Sequence, residues 1–263
     1  MEVIIQPTPD AAARLVVELI DQVVRQNPSA VLGFATGRTM ESVYDKLYAK
    51  HVDEGLDFSG CSTFNLDEYI GLDAGDPHSY RHYMNERLFS RIEIDLANTY
   101  LPDGTAADID AECVAYEKKI EAMGGIDLQL LGIGASGHIG FNEPLSALRS
   151  RTRAKALTPT TREQNAPMFD SIDEVPKRAI TMGVGTILDT RRCILLATGA
   201  SKAKIIAKAV EGPITSMISA SALQLHPHCT IVVDEEAAAE LEQTDYYHWI
   251  FQNEPEWEEF RNC

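Results

Sequence analysis

The segment from Leu128 to Pro144, LQLLGIGASGHIGFNEP, constrains the fold of this chain more than any other stretch. It begins with an apolar run over 128–133, which has the length of one buried strand. Four glycines then interrupt the run, and polar side chains lie between and after them. Glycine lets a backbone approach a ligand closely and adopt a positive φ. A buried strand that ends in such a turn is typical of an α/β sheet that presents a site at its carboxyl edge.

The polar side chains of this turn indicate proton chemistry rather than nucleotide binding. His138 and Glu143 are groups that can move protons on a short, tightly folded loop. The glycines also match G-x-G-x-x-G, the dinucleotide fingerprint, which needs a helix directly after it and an acidic residue about 20 positions on. Gly140 and Pro144 oppose that helix, and the region from Glu143 to Glu163 is basic. We therefore do not predict dinucleotide binding.

A second strand, turn and helix occur earlier in the chain. The apolar run Ala30–Phe34 predicts a buried strand, and a helix is predicted from about Met40 to His51. The turn between them supplies hydroxyls, a glycine and a cation, in Thr36, Gly37, Arg38 and Thr39. Backbone N–H groups at a helix start bind anions. This favours a phosphate site, and the alternative is a plain turn with an exposed arginine.

Strands and helices alternate along the whole chain. This pattern predicts an α/β fold of Rossmann-like type, with a mostly parallel sheet and helices on both faces. Further predicted helices include Ser79 to about Phe89 and Asp108–Met123. Glycine turns follow predicted strands near Phe34, Ile133, Met182 and Thr198, so we expect one carboxyl edge to bring all four turns into one crevice. No linker or repeat interrupts the chain, and we predict a single domain over residues 1–263.

Other charged residues lie near predicted strand ends. Asp67 and Glu68 follow the run Cys61–Asn65, and adjacent residues on an extended backbone point in opposite directions, so at most one carboxylate enters a given site. Taken alone, such carboxylates are more often solvated turn residues. Lys202 follows a buried strand and could pair with a phosphate or be solvated, as most lysines are. The basic run 149–155 is a second candidate anion site or an exposed strand face.

Composition excludes several classes of protein. Forty acidic residues against 23 basic residues give a formal net charge of -17, which argues against nucleic-acid binding. The five cysteines include no C-x-x-C pair, so we expect neither a disulfide framework nor a zinc site, and a reducing cytoplasm is the expected compartment. We expect no signal peptide and no membrane contact, since no apolar run approaches the ~20 residues that span a bilayer. The aromatic-rich tail from about residue 235 is expected to pack on the body or on another subunit.

Seven stretches together resemble the glucosamine-6-phosphate deaminase (isomerising) family, of the NagB/RpiA/CoA-transferase-like superfamily. They lie between about residues 31 and 228 and read FATGRT, TFNLDEYIGL, LLGIGASGHIGFNEP, SRTRAK, MGVGTIL, SKA and SALQLHP. The resemblance implies a NagB/RpiA-like fold and an enzyme of amino-sugar catabolism. Such an enzyme converts glucosamine 6-phosphate and water to fructose 6-phosphate and ammonium, without a metal or an organic cofactor.

The resemblance also implies roles for individual residues. His138 would open the sugar ring, and Glu143 would orient His138. Asp67 would move the proton from C2 to C1 of the open sugar. The positions that match the family's phosphate site are Thr36, Gly37, Arg38, Thr39 and Lys202. Ser146, Arg153 and Lys155 match positions that bind an N-acetylglucosamine 6-phosphate activator in allosteric relatives, although Ala156 stands where those relatives have threonine.

The chain departs from the family pattern at three positions in the expected active site. Ser136 stands where many members have an acid or an amide, Arg38 replaces a glycine, and Pro167 replaces an arginine that binds phosphate. We hypothesise that Arg38 supplies the missing cation. Two other functions remain as alternatives: a hydrolase resembling 6-phosphogluconolactonase, and a non-catalytic sugar-phosphate sensor of the same fold. A homo-oligomer is a further expectation.

Overall fold

The computed structural model describes residues 1–261 and contains ten strands and eight α-helices over that range. The strands are β1 (Glu2–Gln6), β2 (Val31–Phe34), β3 (Ser62–Asn65), β4 (Asp67–Tyr69), β5 (Thr99–Tyr100), β6 (Leu128–Leu131), β7 (Arg153–Ala156), β8 (Arg178–Thr181), β9 (Cys193–Ala197) and β10 (Cys229–Asp234). The helices are α1 (Pro9–Gln26), α2 (Arg38–Glu54), α3 (Tyr80–Met84), α4 (Ile109–Ala122), α5 (Pro159–Asn165), α6 (Val184–Leu188), α7 (Ala203–Val210) and α8 (Thr244–Asn253).

Seven strands form one sheet in the order β1-β10-β9-β6-β2-β3-β5, and all of its strand pairs are parallel. The helices pack around it, as predicted, and most of its strand residues are buried. All four residues of β6 are buried, as are all five of β9. Since the strands are parallel, the turns that leave β2, β6 and β9 lie at the same edge.

Helix α1, which packs against this sheet, begins at residues that favour a helix start. The side chain of Thr8 accepts a hydrogen bond from the backbone N–H of Ala11, and Pro9 occupies the first helical turn. Its apolar residues are buried on one face and pack against β10 and α2. No helix within residues 1–261 combines the length and apolarity needed to cross a membrane.

A second, three-stranded sheet of order β4-β8-β7 was not predicted. Its pairs are antiparallel, with Asp67 opposite Thr181. The chain moves from the large sheet to the small one at Leu66, whose N–H bonds to Phe34 in β2 and whose carbonyl accepts from Met182. The expectation that the turn near Met182 joins the common edge is therefore wrong, because β8 belongs to the small sheet.

Other boundaries differ in detail. The helix predicted from Ser79 to Phe89 is divided into α3 and a π-helical turn, Asn85–Phe89. In the tail, Phe251, Trp257 and Phe260 are buried as expected, whereas Tyr246 and Trp249 remain 56% and 57% exposed, so these two do not pack on the body. The four cysteines within residues 1–261 are free and buried, and Cys263 lies outside the described range. The single domain over 1–263 stays a prediction.

Candidate active site

A cleft of about 420 Å³ opens at the carboxyl ends of β2, β6 and β9. Its wall includes most of the residues that were predicted to act on the substrate, namely Thr36, Gly37, Arg38, Thr39, Asp67, His138 and Lys202. They come from four separate parts of the chain. The parallel sheet brings three of the turns together, and β4 adds Asp67 from the small sheet.

The turn after β2 has the geometry expected of an anion site. Gly37 precedes α2 with φ of 119°, a conformation that favours glycine, and α2 begins at Arg38. The hydroxyl of Tyr83 donates to the carbonyl oxygen of Gly37 at 2.9 Å and steadies the turn. The first turn of α2 therefore faces the cleft together with the exposed Arg38 side chain.

Lys202 also lines the cleft, from a 3₁₀ turn, Ala200–Lys202, that follows β9. Its Nζ atom donates to the carbonyl oxygen of Ile133 at 2.7 Å, so the side chain is tied to the glycine loop. Burial lowers the pKa of the amine. A nearby anion would oppose that shift by favouring the charged form.

Asp67 is only 6% exposed, yet it lines the cleft. Burial, followed by the negative charge of Glu68, raises the pKa of Asp67 to about 8. Glu68 turns away and accepts hydrogen bonds from the backbone N–H groups of Tyr80 and Arg81, each at 2.9 Å. The prediction that only one of the two carboxylates enters the site is confirmed. The alternative of two solvated turn residues is wrong, because both are buried.

His138 is buried against the backbone of its own loop. A Cβ atom at Gly134 would lie 2.0 Å from Nε2 of the ring, so only glycine leaves the space that the ring occupies. Nδ1 lies 2.8 Å from Oγ of Ser136 and 3.4 Å from Oε2 of Glu143. The loop contains no helix after Gly137, in agreement with the rejection of a dinucleotide fingerprint.

Glu143 lies behind His138 and does not line the cleft. Its Oε1 atom accepts from the backbone N–H and the hydroxyl of Thr158, at 3.0 and 3.2 Å. Burial by itself would raise the pKa of this carboxyl. The interactions with His138 and with the donors on Thr161 and Thr158 outweigh it and lower the pKa to about 2. Glu143 is therefore ionised at neutral pH.

The three positions associated with an activator lie outside the cleft. The guanidinium of Arg153 donates to Oδ1 of Asn142 at 2.9 Å and to Oγ of Ser146 at 3.0 Å. Ser146 is buried, while Lys155 is partly exposed on β7. Arg153 of β7 thus contacts Ser146, which lies on the loop that carries Glu143.

Several residues of the cleft were missed from the sequence, namely Tyr80, Tyr83, Gln164, Asn165, Met168 and Ser201. The hydroxyl of Tyr80 donates to that of Tyr69 at 3.3 Å, and Nδ2 of Asn165 donates to the same oxygen at 2.9 Å. This chain of hydrogen bonds joins α3, β4 and α5, which are far apart in sequence. The three-residue spacing of Tyr80 and Tyr83, which places both side chains on one helix face, was the one local pattern that could have indicated their place in the cleft.

Pro167 lies in the 3₁₀ turn Ala166–Met168, beside Met168 at the edge of the cleft. The cations on the cleft wall within the described residues are Arg38 and Lys202, besides the titratable His138. Over residues 1–261 no group of three or more His, Cys, Asp or Glu side chains is arranged to hold a metal ion.

Comparisons with known proteins agree on the family. Residues 6–232 match the family model described as glucosamine-6-phosphate isomerases/6-phosphogluconolactonase. The chain is 49% identical to the glucosamine-6-phosphate deaminase of Arthrobacter sp. over 98% of this chain and 99% of the relative. It is 48% identical to the enzyme of the same name from Streptomyces coelicolor, again over 98% and 99% of the two chains.

Solved structures give the same result. A monomeric glucosamine-6-phosphate deaminase, described as a missing link of the NagB superfamily, is 44% identical, with a TM-score of 0.90 over 91% of this chain and 100% of that one. The 6-phosphogluconolactonase of Trypanosoma cruzi is 22% identical, with a TM-score of 0.74 over 92% of this chain and 97% of that one. At this identity the likeness shows only that the two proteins share a fold. The chain belongs to the glucosamine-6-phosphate isomerase/6-phosphogluconolactonase family and, within it, to the glucosamine-6-phosphate deaminases.

Proposed function

We propose that this protein converts glucosamine 6-phosphate and water to fructose 6-phosphate and ammonium, as an enzyme of amino-sugar catabolism. The observation that carries the proposal is the convergence of Asp67, His138, Lys202 and the turn before α2 on one cleft. A sugar phosphate needs an anion site at one end and proton-transfer groups at the other. The cleft supplies both within a volume of about 420 Å³.

In this proposal the phosphate group lies at the start of α2. Backbone N–H groups of the first helical turn and the hydroxyls of Thr36 and Thr39 donate to its oxygens. Arg38 and Lys202, which both line the cleft, supply positive charge. Arg38 takes over the electrostatic role of the family's arginine, whose position is occupied here by Pro167 in an exposed turn.

Ring opening is the first chemical step. The Nε2 atom of His138 moves a proton between the anomeric hydroxyl and the ring oxygen, while Nδ1 faces Ser136 and Glu143. A carboxylate near Nδ1 orients the ring and stabilises its protonated form. Ser136 contributes a hydrogen bond at 2.8 Å but no charge, so the charged support of His138 comes from Glu143 alone in this proposal.

Asp67 then transfers a proton from C2 to C1 of the open-chain sugar, through an enolamine. The resulting C2 iminium reacts with water, which releases ammonium and leaves the ketone of fructose 6-phosphate. Asp67 must be ionised to accept the C2 proton, and its pKa of about 8 makes it a stronger base than an ordinary carboxylate. The positive charge of the substrate nitrogen favours the ionised form. The scheme requires no metal or organic cofactor.

The direct test is ammonium release from glucosamine 6-phosphate by the purified protein. We expect turnover by the unmodified protein and a loss of at least about a hundredfold in Asp67→Asn and in His138→Ala. Full activity in either variant would contradict the assigned roles. Hydrolysis of 6-phosphogluconolactone without ammonium release would favour the lactonase alternative, which has no need of Asp67 as a base. Binding of glucosamine 6-phosphate and fructose 6-phosphate without turnover would favour a sensor.

Three finer expectations accompany this proposal. N-acetylglucosamine 6-phosphate would act as an activator through Ser146, Arg153 and Lys155, supported by the contact between the first two on the Glu143 loop. An activation curve with that ligand tests it, and a rate independent of the ligand would refute it. A homo-oligomer is tested by light scattering. A cytoplasmic location is supported by four free cysteines within residues 1–261 and is tested by cell fractionation.

A further inference from the structure

The carboxylate of Glu143 is held by one oxygen and presents the other to His138. Oε1 accepts two hydrogen bonds from Thr158, one from its backbone N–H and one from its hydroxyl. Oε2 lies 3.4 Å from Nδ1 of His138 and has no partner in hydrogen-bond geometry within residues 1–261. Because the carboxylate is planar, two donors that reach Oε1 from different directions restrict the direction in which Oε2 points. The direction of Oε2 is therefore set from Thr158.

Thr158 is itself fixed by the first turn of α5. Its Oγ1 atom accepts from the backbone N–H of Thr161 at 3.2 Å and lies 3.1 Å from the Thr161 hydroxyl oxygen. A hydroxyl has one proton and two acceptor sites. The hydroxyl of Thr158 can therefore donate its proton to Glu143 while it accepts from the backbone N–H of Thr161.

Helix α5 is also part of the cleft wall. Gln164 and Asn165, at its carboxyl end, line the cleft, and Oε1 of Gln164 accepts from the backbone N–H of Ala135 at 3.3 Å. The same short helix thus contacts the His138 loop at Ala135 and, through Thr158, at Glu143. A displacement of α5 would move the carboxylate that supports His138.

We infer that Thr158 is a positioning residue, which holds Glu143 in the orientation that supports proton transfer by His138 and links this pair to the cleft wall formed by α5. The inference rests on the proposed function and assigns a role to a residue that contacts neither the substrate nor the reacting atoms. The hydroxyl, rather than the backbone alone, is essential, because it supplies one of the two bonds to Oε1.

The charges around Glu143 define what removal of the hydroxyl would do. His138 faces the carboxylate from the glycine loop. From α5, Thr158 and Thr161 present hydroxyl and N–H donors, and Arg162 directs its guanidinium to the carbonyl oxygens of Ile172 and Val175 instead. Loss of one donor to an ionised carboxylate raises its pKa. Glu143 would then be less firmly oriented and less fully ionised at acid pH.

The test compares Thr158→Val, which removes the hydroxyl and keeps the shape, with Thr158→Ser, which keeps the hydroxyl. In Thr158→Val we expect kcat for ammonium release to fall about tenfold, as for the loss of one charge-assisted hydrogen bond. KM should change less than kcat, because Thr158 does not line the cleft. Thr158→Ser should remain within about twofold of the unmodified protein.

Thr160→Val is the matched control, since it makes the same chemical change at an exposed position of the same turn. It should leave kcat and the pH profile unchanged. An unaltered kcat in Thr158→Val would overturn the inference. So would a loss confined to Tm and KM, which would mean that Thr158 serves only as the helix cap.

A second measurement does not depend on activity. The carbon-13 NMR signal of the Glu143 carboxyl group should titrate at a higher pH in Thr158→Val than in the unmodified protein. If the unmodified protein released no ammonium, the proposed function would fail, and this titration would still decide whether Thr158 holds the carboxylate. An unchanged titration would refute that contact.

Discussion

Replacing Gly134 with alanine should disable His138 without altering any group that takes part in the chemistry. The added Cβ would lie 2.0 Å from Nε2, 2.3 Å from Cε1 and 2.4 Å from Cδ2 of the imidazole. Ordinary contacts between such atoms are about 3.5 Å, so the ring must retreat by roughly 1.5 Å. The retreat would break the 2.8 Å contact between Nδ1 and Ser136.

A displacement of about 1 Å in a catalytic group can reduce the rate a hundredfold. We therefore expect kcat/KM for ammonium release to fall at least about a hundredfold, which corresponds to about 2.7 kcal/mol. Overpacking should also lower the free energy of unfolding by about 1–3 kcal/mol, so circular dichroism must confirm that the variant is folded at the assay temperature.

Gly132→Ala is the comparison variant, because it adds the same methyl group to the same loop. Its Cβ would meet only the flexible end of Met40, at 3.4 Å from Cε. The expected loss is less than about tenfold. A folded Gly134→Ala variant with unchanged kcat/KM would refute the assignment of His138 to ring opening, as would equal losses in the two variants.

Three further outcomes follow from the charges in the cleft. In Arg38→Gly, steady-state kinetics should show KM rising about tenfold with little change in kcat. Arg91→Ala, at an arginine outside the cleft, should leave both constants unchanged. An unaltered KM in Arg38→Gly would show that Arg38 does not bind the phosphate group. For the unmodified protein, kcat/KM should rise with pH towards about 8 as Asp67 ionises, and a flat profile between pH 6 and 9 would contradict the role of Asp67 as the base. Because the pKa of Asp67 is higher in the folded protein than in the unfolded chain, its burial costs stability increasingly as pH rises from about 4 to 8. Asp67→Asn should therefore gain on the order of 4 kcal/mol relative to the unmodified protein between pH 5 and pH 9, from about three pH units at about 1.4 kcal/mol each, and equal thermal shifts at both pH values would refute the raised pKa.

Most of the large sheet could be predicted from local patterns. The buried runs that became β2, β6 and β9 are each followed by a small-residue turn, and a parallel sheet needs no further information to place such turns at one edge. The hydroxyls, glycine and cation before α2 were recognisable for the same reason, because an anion site at a helix start is built from consecutive residues.

The position of Asp67 depended on pairing that no local pattern records. Asp67 and Glu68 are adjacent in an unremarkable acidic stretch, and only the antiparallel pairing of β4 with β8 buries both and directs one into the cleft. Strand pairing is determined by long-range contacts and by the burial of each face, so a periodicity of two cannot reveal the partner. The same limit explains why β8 was assigned to the wrong sheet.

The groups that support His138 also differ in whether they could be recognised from the sequence or only from the packed structure. The residue types and their spacing are enough to show that His138 and Glu143 share one glycine-rich loop and that Ser136 brings no charge to it. The packing of the chain was needed to show that Gly134 leaves room for the ring, that Thr158 bonds to Glu143, and that Arg38 and Lys202 line one cleft. The physical reason is that chemical type is a property of each residue, whereas a distance between residues far apart in the chain exists only after the sheet and its helices have packed.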